Sequence, residues 1–424
     1  MIKKAAILGL LAAALAGTVC AQEAEVPKGI PHLDHVFVIM MENHGYDQII
    51  GNPDTPFANS YAKSANSATN YFAVAHPSLT NYLEVVGGSN FGVQSDNNPD
   101  WHNATCTNNL ASGTVNTDNP ASPNICPIFG TGTDAATPAI DCTNETTCAP
   151  GSNKGENNID GFKSIPAATK VVGKTIADQL FAAGLSWKSY QESLPSTGAD
   201  GVNFSDGFFT DASDILAVLP KEKQGLLKLY AAKHNPFVYF QSVQQGQNPE
   251  LSLKQVVGFE GAHGLFEDLS SGHVPNFSFI APNQCNDQHG RGNGGTQCDF
   301  DPNNNGSLVG LNPALMYIGD LNLRNIVKAI HKSPIWEDGH NAIVVLWDED
   351  DYSVAPTTNK VLLIVDTNYG EHSVQDGNFY THFSLLRSIE GGFGLPCLNH
   401  ACDSNTKVIS SLFHWNSGHD GDTQ

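Results

Sequence analysis

His35-Val36-Phe37-Val38-Ile39-Met40-Met41 runs directly into Glu42-Asn43-His44-Gly45. The run is apolar almost without interruption and shows no alternation, so it reads as a strand covered on both faces, the habit of parallel sheets. Similar runs recur at 237–243, 276–280, 342–347 and 361–365, with helix-like stretches at 77–86, 174–183, 314–330 and 381–390. Strands alternating with helices predict an α/β fold with a mostly parallel central sheet flanked by helices. Chemistry in such sheets gathers beyond the carboxyl ends of the strands. No internal repeat is present, which excludes solenoids and propellers.

The chain has 424 residues, 40% of them hydrophobic and 15% charged, with 43 acidic side chains against 21 basic ones for a formal charge of −22. That balance excludes a basic nucleic-acid binder. The apolar content suffices for a large core, and Gly plus Pro stay below the level of a disordered low-complexity chain. Lys3 and Lys4 precede an apolar stretch at 5–19, and Val19-Cys20-Ala21 supplies small residues before Gln22, the pattern of a signal peptide over 1–21. Val19 directly before Cys20 disfavours a lipid anchor. Cleavage removes two lysines and no acid, taking the charge to −24. No later run reaches the ~18–20 apolar residues of a membrane span. The expectation is a periplasmic or secreted protein with no stable membrane anchor, a single domain over 22–424.

Without Cys20, eight cysteines remain, at 106, 126, 142, 148, 285, 298, 397 and 402. An even number in an oxidising compartment points to disulfides. The pairs nearest in sequence are Cys142/Cys148, Cys285/Cys298 and Cys397/Cys402, leaving Cys106/Cys126. Residues from about 89 to 170 are rich in Asn, Asp, Gly, Thr and Pro, hold four of these cysteines, and read as an irregular, disulfide-pinned insertion; 283–306 is a second such patch.

Three strand ends concentrate polar groups. The first delivers Glu42-Asn43, the run ending at Trp347 delivers Asp348-Glu349-Asp350-Asp351, and 277–280 leads into Asn283 and then Asn286-Asp287-Gln288-His289. Four consecutive acids repel one another unless something cationic sits among them. With three arginines in the whole chain, a divalent metal ion is the simplest countercharge. Of sixteen histidines, His289 and His382 stand in dense polar motifs, whereas His102, His234, His331 and His414 have no such company and His44 and His372 are ambiguous. His76-Pro77-Ser78 opens a helical stretch, where a hydroxyl meets free backbone N–H groups and a partial positive field. Ser78 is a candidate nucleophile that His76 could orient, although its position alone favours a helix cap.

These blocks resemble the bacterial and fungal phosphoesterases of the acid phosphatase and phospholipase C type, within the alkaline phosphatase superfamily. The likeness rests on 38–44, His76-Pro77-Ser78-Leu79-Thr80-Asn81-Tyr82, Ser189-Tyr190-Gln191-Glu192 and Lys233-His234-Asn235-Pro236-Phe237. It continues through 277–283, Asn286-Asp287-Gln288-His289, Trp347-Asp348-Glu349 and Thr381-His382-Phe383-Ser384. All appear in family order; the chain departs at Thr80, where the family usually has Pro, and at Asp350-Asp351, where a small residue is commoner. The resemblance implies an alkaline-phosphatase-like fold and a metal held by Glu42, Asn43, Asp348, Glu349 and His382. It implies Ser78 as nucleophile, with His76, His289 and Asp287 assisting, and Asn43, Asn81 and Asn283 on the phosphate. The mechanism it implies is metal-assisted hydrolysis of a small phosphorylated substrate, a monoester for preference, through a phosphoserine. Carboxylate, Asn and His ligands suit Mn, Ca, Mg, Fe or Zn alike.

Two alternatives stand beside this reading. One is a phospholipase C or other phosphodiesterase. The other is a catalytically inactive, metal-stabilised binding protein, for which Asp299-x-Asp301-x-Asn303-x-Asn305-Gly306 offers calcium-loop spacing, although the closing Glu is replaced by Gly310.

Overall fold

The computed structural model describes residues 23–93, 125–134, 170–194, 229–291, 294–308, 310–351 and 358–413, with 96, 99, 156–157 and 165–168 besides. The expected signal peptide, much of the insertion, Cys142 and Cys148 lie outside the described residues. Six strands build the sheet: β1 (His35–Met41), β2 (Asn66–Phe72), β3 (Trp187–Gln191), β4 (Phe277–Ala281), β5 (Asn341–Trp347) and β6 (Lys360–Thr367). Short pieces complete it, Val256–Val257 on β3 and both Gln375–Asp376 and Tyr380–Thr381 on β2.

β1 lies at the centre, as its unbroken apolar sequence requires. It pairs in parallel with β4 and β5, so that Val36 faces Phe277 on one side and Ala342 on the other, and every residue from Val36 to Met41 is buried. β3 joins β4 in parallel. On the other side a single strand is reversed: β6 runs antiparallel both to β5 and to β2, so β2 points the same way as β1. Only residues 348–359 separate β5 from β6, and antiparallel neighbours need no crossover helix. The sheet is therefore mostly parallel, as expected, with β6 as its reversed strand. The helices around it include α1 (Pro56–Ser64), α2 (Ser78–Gly87), α3 (Ile176–Ala182), α4 (Pro313–Lys332) and α5 (His382–Gly392).

One expected strand is not a strand. The run at 237–243 forms a 3-10 turn, Pro236–Tyr239, followed by a short helix, Gln241–Gln245. Phe237, Val238, Tyr239 and Phe240 are all fully buried, and a segment buried on all sides carries no periodicity to tell strand from helix. β2 and β3 escaped the sequence reading for the converse reason: NSATNYF and WKSYQ dilute aromatic residues with polar ones.

α2 is buried along its whole length. Its first turn closes on Pro77, whose carbonyl accepts from both the Thr80 amide (3.1 Å) and the Thr80 hydroxyl (2.6 Å), so threonine stabilises the turn at this departure from the family pattern. It ends at Gly88, whose φ of 70° is left-handed and where a Cβ would stand 2.5 Å from the Leu398 carbonyl oxygen. Cys285–Cys298 and Cys397–Cys402 are disulfides as expected; Cys126 is also disulfide-bonded, and Cys106 lies outside the described residues. Among the described residues no helix is long and apolar enough to cross a membrane.

Candidate active site

The carboxyl ends of β1, β4 and β5 are tied together before any side chain is considered. The Glu42 amide donates to the Asp287 carbonyl (2.8 Å) and the Asp348 amide to the Met41 carbonyl (3.0 Å). Asn43, at a φ of 57° that Asn tolerates, turns its backbone N–H onto Asp348 Oδ1 at 2.8 Å. Glu42, Asp287, Asp348 and Glu349 thereby converge, all buried. Against them stands the start of α2. Ser78 is its first residue, and Pro77 holds the cap position without a side-chain cap bond of its own. The Ser78 hydroxyl lies 3.2 Å from both Glu42 Oε2 and Glu349 Oε1. It does not cap; it sits between two carboxylates.

Two residues that the sequence reading passed over complete the cluster. Lys233 and His234 leave a 3-10 turn, Ala232–His234. His234 stacks face to face on Tyr82 of α2, with ring centroids 5.3 Å apart, and brings Nε2 to 3.0 Å from Glu42 Oε1 and Nδ1 to 3.2 Å from Asp287 Oδ2. Lys233 Nζ lies 3.4 Å from Ser78 Oγ, 3.3 Å from His289 Nε2 and 3.0 Å from Asp96 Oδ2. The misread segment at 237–243 concealed both: a strand starting there would leave residues 233 and 234 at the amino end of the sheet, away from the chemistry. The signal available was the Lys233-His234-Asn235-Pro236-Phe237 block itself.

Other expected residues take different positions. His76 lies between Glu349 Oε2 (2.8 Å) and Asp350 Oδ1 (3.4 Å), beside the nucleophile rather than on it. Asp350 also accepts from the amides of Thr358 and Asn359, so of the four consecutive acids the third pins its own loop. His382, expected as a metal ligand, is turned to structure: Nε2 donates to the Asp348 carbonyl (2.7 Å) and Nδ1 accepts from the Tyr71 hydroxyl (2.8 Å), leaving no lone pair for an ion. Asn81 and Asn283, expected on the phosphate, are engaged inward. Asn81 accepts from the amides of Val74 and Ala75 and donates to the Ala75 carbonyl and Glu349 Oε2. Asn283 accepts from the amides of Cys285 and Asn286 and donates to Ser193. His289 donates from Nδ1 to the Gly290 carbonyl, so its Nε2 faces Lys233 as an acceptor, and Asp287 Oδ1 fixes the His289 amide at 2.7 Å. The possible calcium loop is closed on itself, because the Asp301 carboxylate accepts from the amides of Asn303, Asn305 and Gly306.

The electrostatics is that of a site built for added positive charge. Burial pushes the carboxyl groups up: Glu42 and Asp287 well above the carboxylate range, Asp348 to about 6 and Glu349 to about 8, with Asp348 adding repulsion at Glu42 and Glu349. Burial, aided by Lys233, drives His234 well down and His289 to about 3, so both rings are neutral. Lys233 goes the other way: burial opposes its charge, but Asp96 and Glu42 hold it above the ordinary lysine value.

The donor set fits a divalent cation on two observations. Glu42 Oε1, Asp287 Oδ2 and Asp348 Oδ2 are buried carboxylate oxygens with no hydrogen-bond partner, each of which is costly to leave so. Glu42 Oε1 and His234 Nε2 are 3.0 Å apart yet make no hydrogen bond, about the separation of two ligand atoms at right angles around an ion with bonds of ~2.1 Å. Glu42, His234 and His289 each offer a ligand atom, all within 4.8 Å of one another.

A curated acid phosphatase of Aspergillus fumigatus is 25% identical over 88% of this chain and 58% of its own length. A phosphatidylinositol-3-phosphatase of Mycobacterium tuberculosis is 23% identical over 96% of this chain and 93% of its own. The chain thus spans under two thirds of the fungal protein. Among solved structures, a protein in the alkaline phosphatase superfamily from Vibrio parahaemolyticus aligns with 90% of this chain and 72% of its own at 13% identity and a TM-score of 0.45, a likeness too loose to argue from. The profile of the phosphoesterase family matches residues 52–297, more than half of the sequence and a span that holds Ser78, Lys233, His234, Asp287 and His289. The chain belongs to the phosphoesterase family.

Proposed function

We propose that this chain is an exported, metal-dependent phosphoesterase that hydrolyses phosphate monoesters through a phosphoserine intermediate. The observation that carries the reading is Ser78: a hydroxyl on the first residue of a buried helix, flanked at 3.2 Å by two carboxylates and at 3.4 Å by an ammonium. The names of the relatives, acid phosphatase and phosphatidylinositol-3-phosphatase, support the substrate class. The basic, apolar and small-residue pattern over 1–21 supports export to the periplasm or medium.

Ser78 Oγ attacks phosphorus and its proton passes to Glu42 or Glu349; the ester P–O bond breaks and the alcohol leaves, taking a proton from solvent. Water then cleaves the Ser78–phosphorus bond and releases inorganic phosphate. Glu42, Asp348 and Glu349, with His234 and His289, would hold a divalent cation, which would supply positive charge beside the Ser78 hydroxyl and the phosphoryl group. Asn81 keeps Glu349 and the turn before α2 in place, and His382 fixes the Asp348 carbonyl. His289, an acceptor at Nε2, is not arranged as the acid that protonates the leaving group.

The test is a chromogenic aryl phosphate monoester set beside the matching diester, with divalent ions added, followed by acid quench and peptide mapping. Monoester turnover and a phosphorylated Ser78 peptide are expected. Turnover of neither ester defeats the proposal, and faster diester turnover transfers it to the phospholipase C type.

A further inference from the structure

We propose that Lys233 contacts the transferring phosphoryl group and selects a doubly charged phosphate monoester over a singly charged diester; this rests on the phosphoesterase reading of Ser78 and deepens it. Ser78 Oγ has neighbours of both signs: Glu42 and Glu349 stand at 3.2 Å and Lys233 Nζ at 3.4 Å. A phosphate dianion reaching for this hydroxyl is repelled by the carboxylates and drawn toward the ammonium. Among the described residues no arginine and no other lysine contacts Ser78: Arg387 is turned to the Ala401 carbonyl, Lys174 to Glu23, Lys188 to Asp268.

The Lys233 side already holds an oxyanion of this chain. Asp96 places Oδ2 3.0 Å from Lys233 Nζ and Oδ1 3.1 Å from the Leu79 amide, the next backbone donor after Ser78. An ammonium and a helix N–H bridged by one carboxylate are spaced for two oxygens on one centre, as a phosphoryl group also presents. A monoester offers this pair an oxygen carrying the second negative charge. A diester offers an alkylated oxygen in its place, and the ammonium gains less from it. Preference for the monoester therefore falls on Lys233, because the carboxylates repel the dianion more than the singly charged diester.

The experiment compares wild type, Lys233→Met, Lys233→Arg and the double variant Asp96→Asn/Lys233→Met, the last relieving the carboxylate that the single change leaves unpaired. Monoester and diester kcat/KM are measured, and inorganic phosphate is titrated calorimetrically into each protein. Lys233→Met and the double variant are expected to lose about 100-fold in monoester kcat/KM, but no more than about fivefold on the diester, and to bind phosphate about tenfold more weakly; Lys233→Arg should keep a tenth or more of the wild-type monoester rate. Equal losses on both esters, or unchanged phosphate affinity, overturn the assignment. A wild type that hydrolyses neither ester defeats the phosphoesterase reading instead, and the phosphate titration still decides the role of Lys233.

Discussion

His400→Gln is expected to destabilise the protein in a way that fades as the solution becomes alkaline. His400 belongs to the turn Asn399–Cys402, and its amide donates to the Gly88 carbonyl at the C-terminal end of α2, the helix whose other end presents Ser78. Its ring is 3% exposed and lies between Asp134 (2.5 Å from Nε2) and Asp403 (2.6 Å from Nδ1). Burial alone would depress its pKa, but hydrogen bonds and charge from Asp134 and Asp403 raise it to about 10. The folded value thus exceeds the unfolded value of about 6.5. The stabilisation is whole below that unfolded value and is lost as pH rises through about 10. A difference near 3.5 units corresponds to at most about 5 kcal/mol, and because Asp403 is 28% exposed we expect ~2–4 kcal/mol. Glutamine keeps an N–H for Asp134 and removes the charge. Urea unfolding of wild type and variant is compared from about pH 6 to about pH 10.5. The gap should be widest at the acid end and narrow steadily above neutrality. A gap of constant size would mean that shape rather than charge holds the clamp, and would refute the reasoning.

Ser78→Ala should lower turnover by about 10⁴-fold or more while leaving the melting temperature near wild type, because only the contacts around its own hydroxyl are removed; an active, purified variant would exclude Ser78 as nucleophile. Glu42→Gln should release bound divalent metal, measured by elemental analysis after gel filtration, since Glu42 reaches both Ser78 and His234; full retention would move the ion elsewhere. Asn81→Ala leaves two amides and a carbonyl of the turn before α2 without partners and should cost about 3–5 kcal/mol in chemical denaturation. A loss below about 1 kcal/mol would show that water or a shifted backbone replaces these bonds.

Much of the site was legible because acids at strand ends are conspicuous. Glu42, Asp287, Asp348 and Glu349 follow apolar runs, and a parallel sheet carries such residues to one edge whatever the loops do. Ser78 was legible through its company rather than its position, since a Ser at a helix start is commonly a cap and the His76-Pro77-Ser78 block resembling the phosphoesterases is what singles it out. The motifs point His382 at an ion and Asn81 and Asn283 at phosphate, yet all three bond to backbone and neighbouring side chains. Sequence spacing places a side chain near a site but does not say which way its polar atoms turn.

The sequence by itself determined the class of fold and the edge of the sheet where chemistry occurs, because long apolar runs must be buried on both faces and their polar endings then gather at one rim. It determined the family through motifs in order. Only the tertiary structure decided which charges share the Ser78 hydroxyl. Lys233 reaches it from a segment whose uniform burial hides its local conformation, and His234, from the same segment, meets Glu42 across 192 positions of chain. Contacts of that kind arise from packing between elements, which no local pattern of residues encodes.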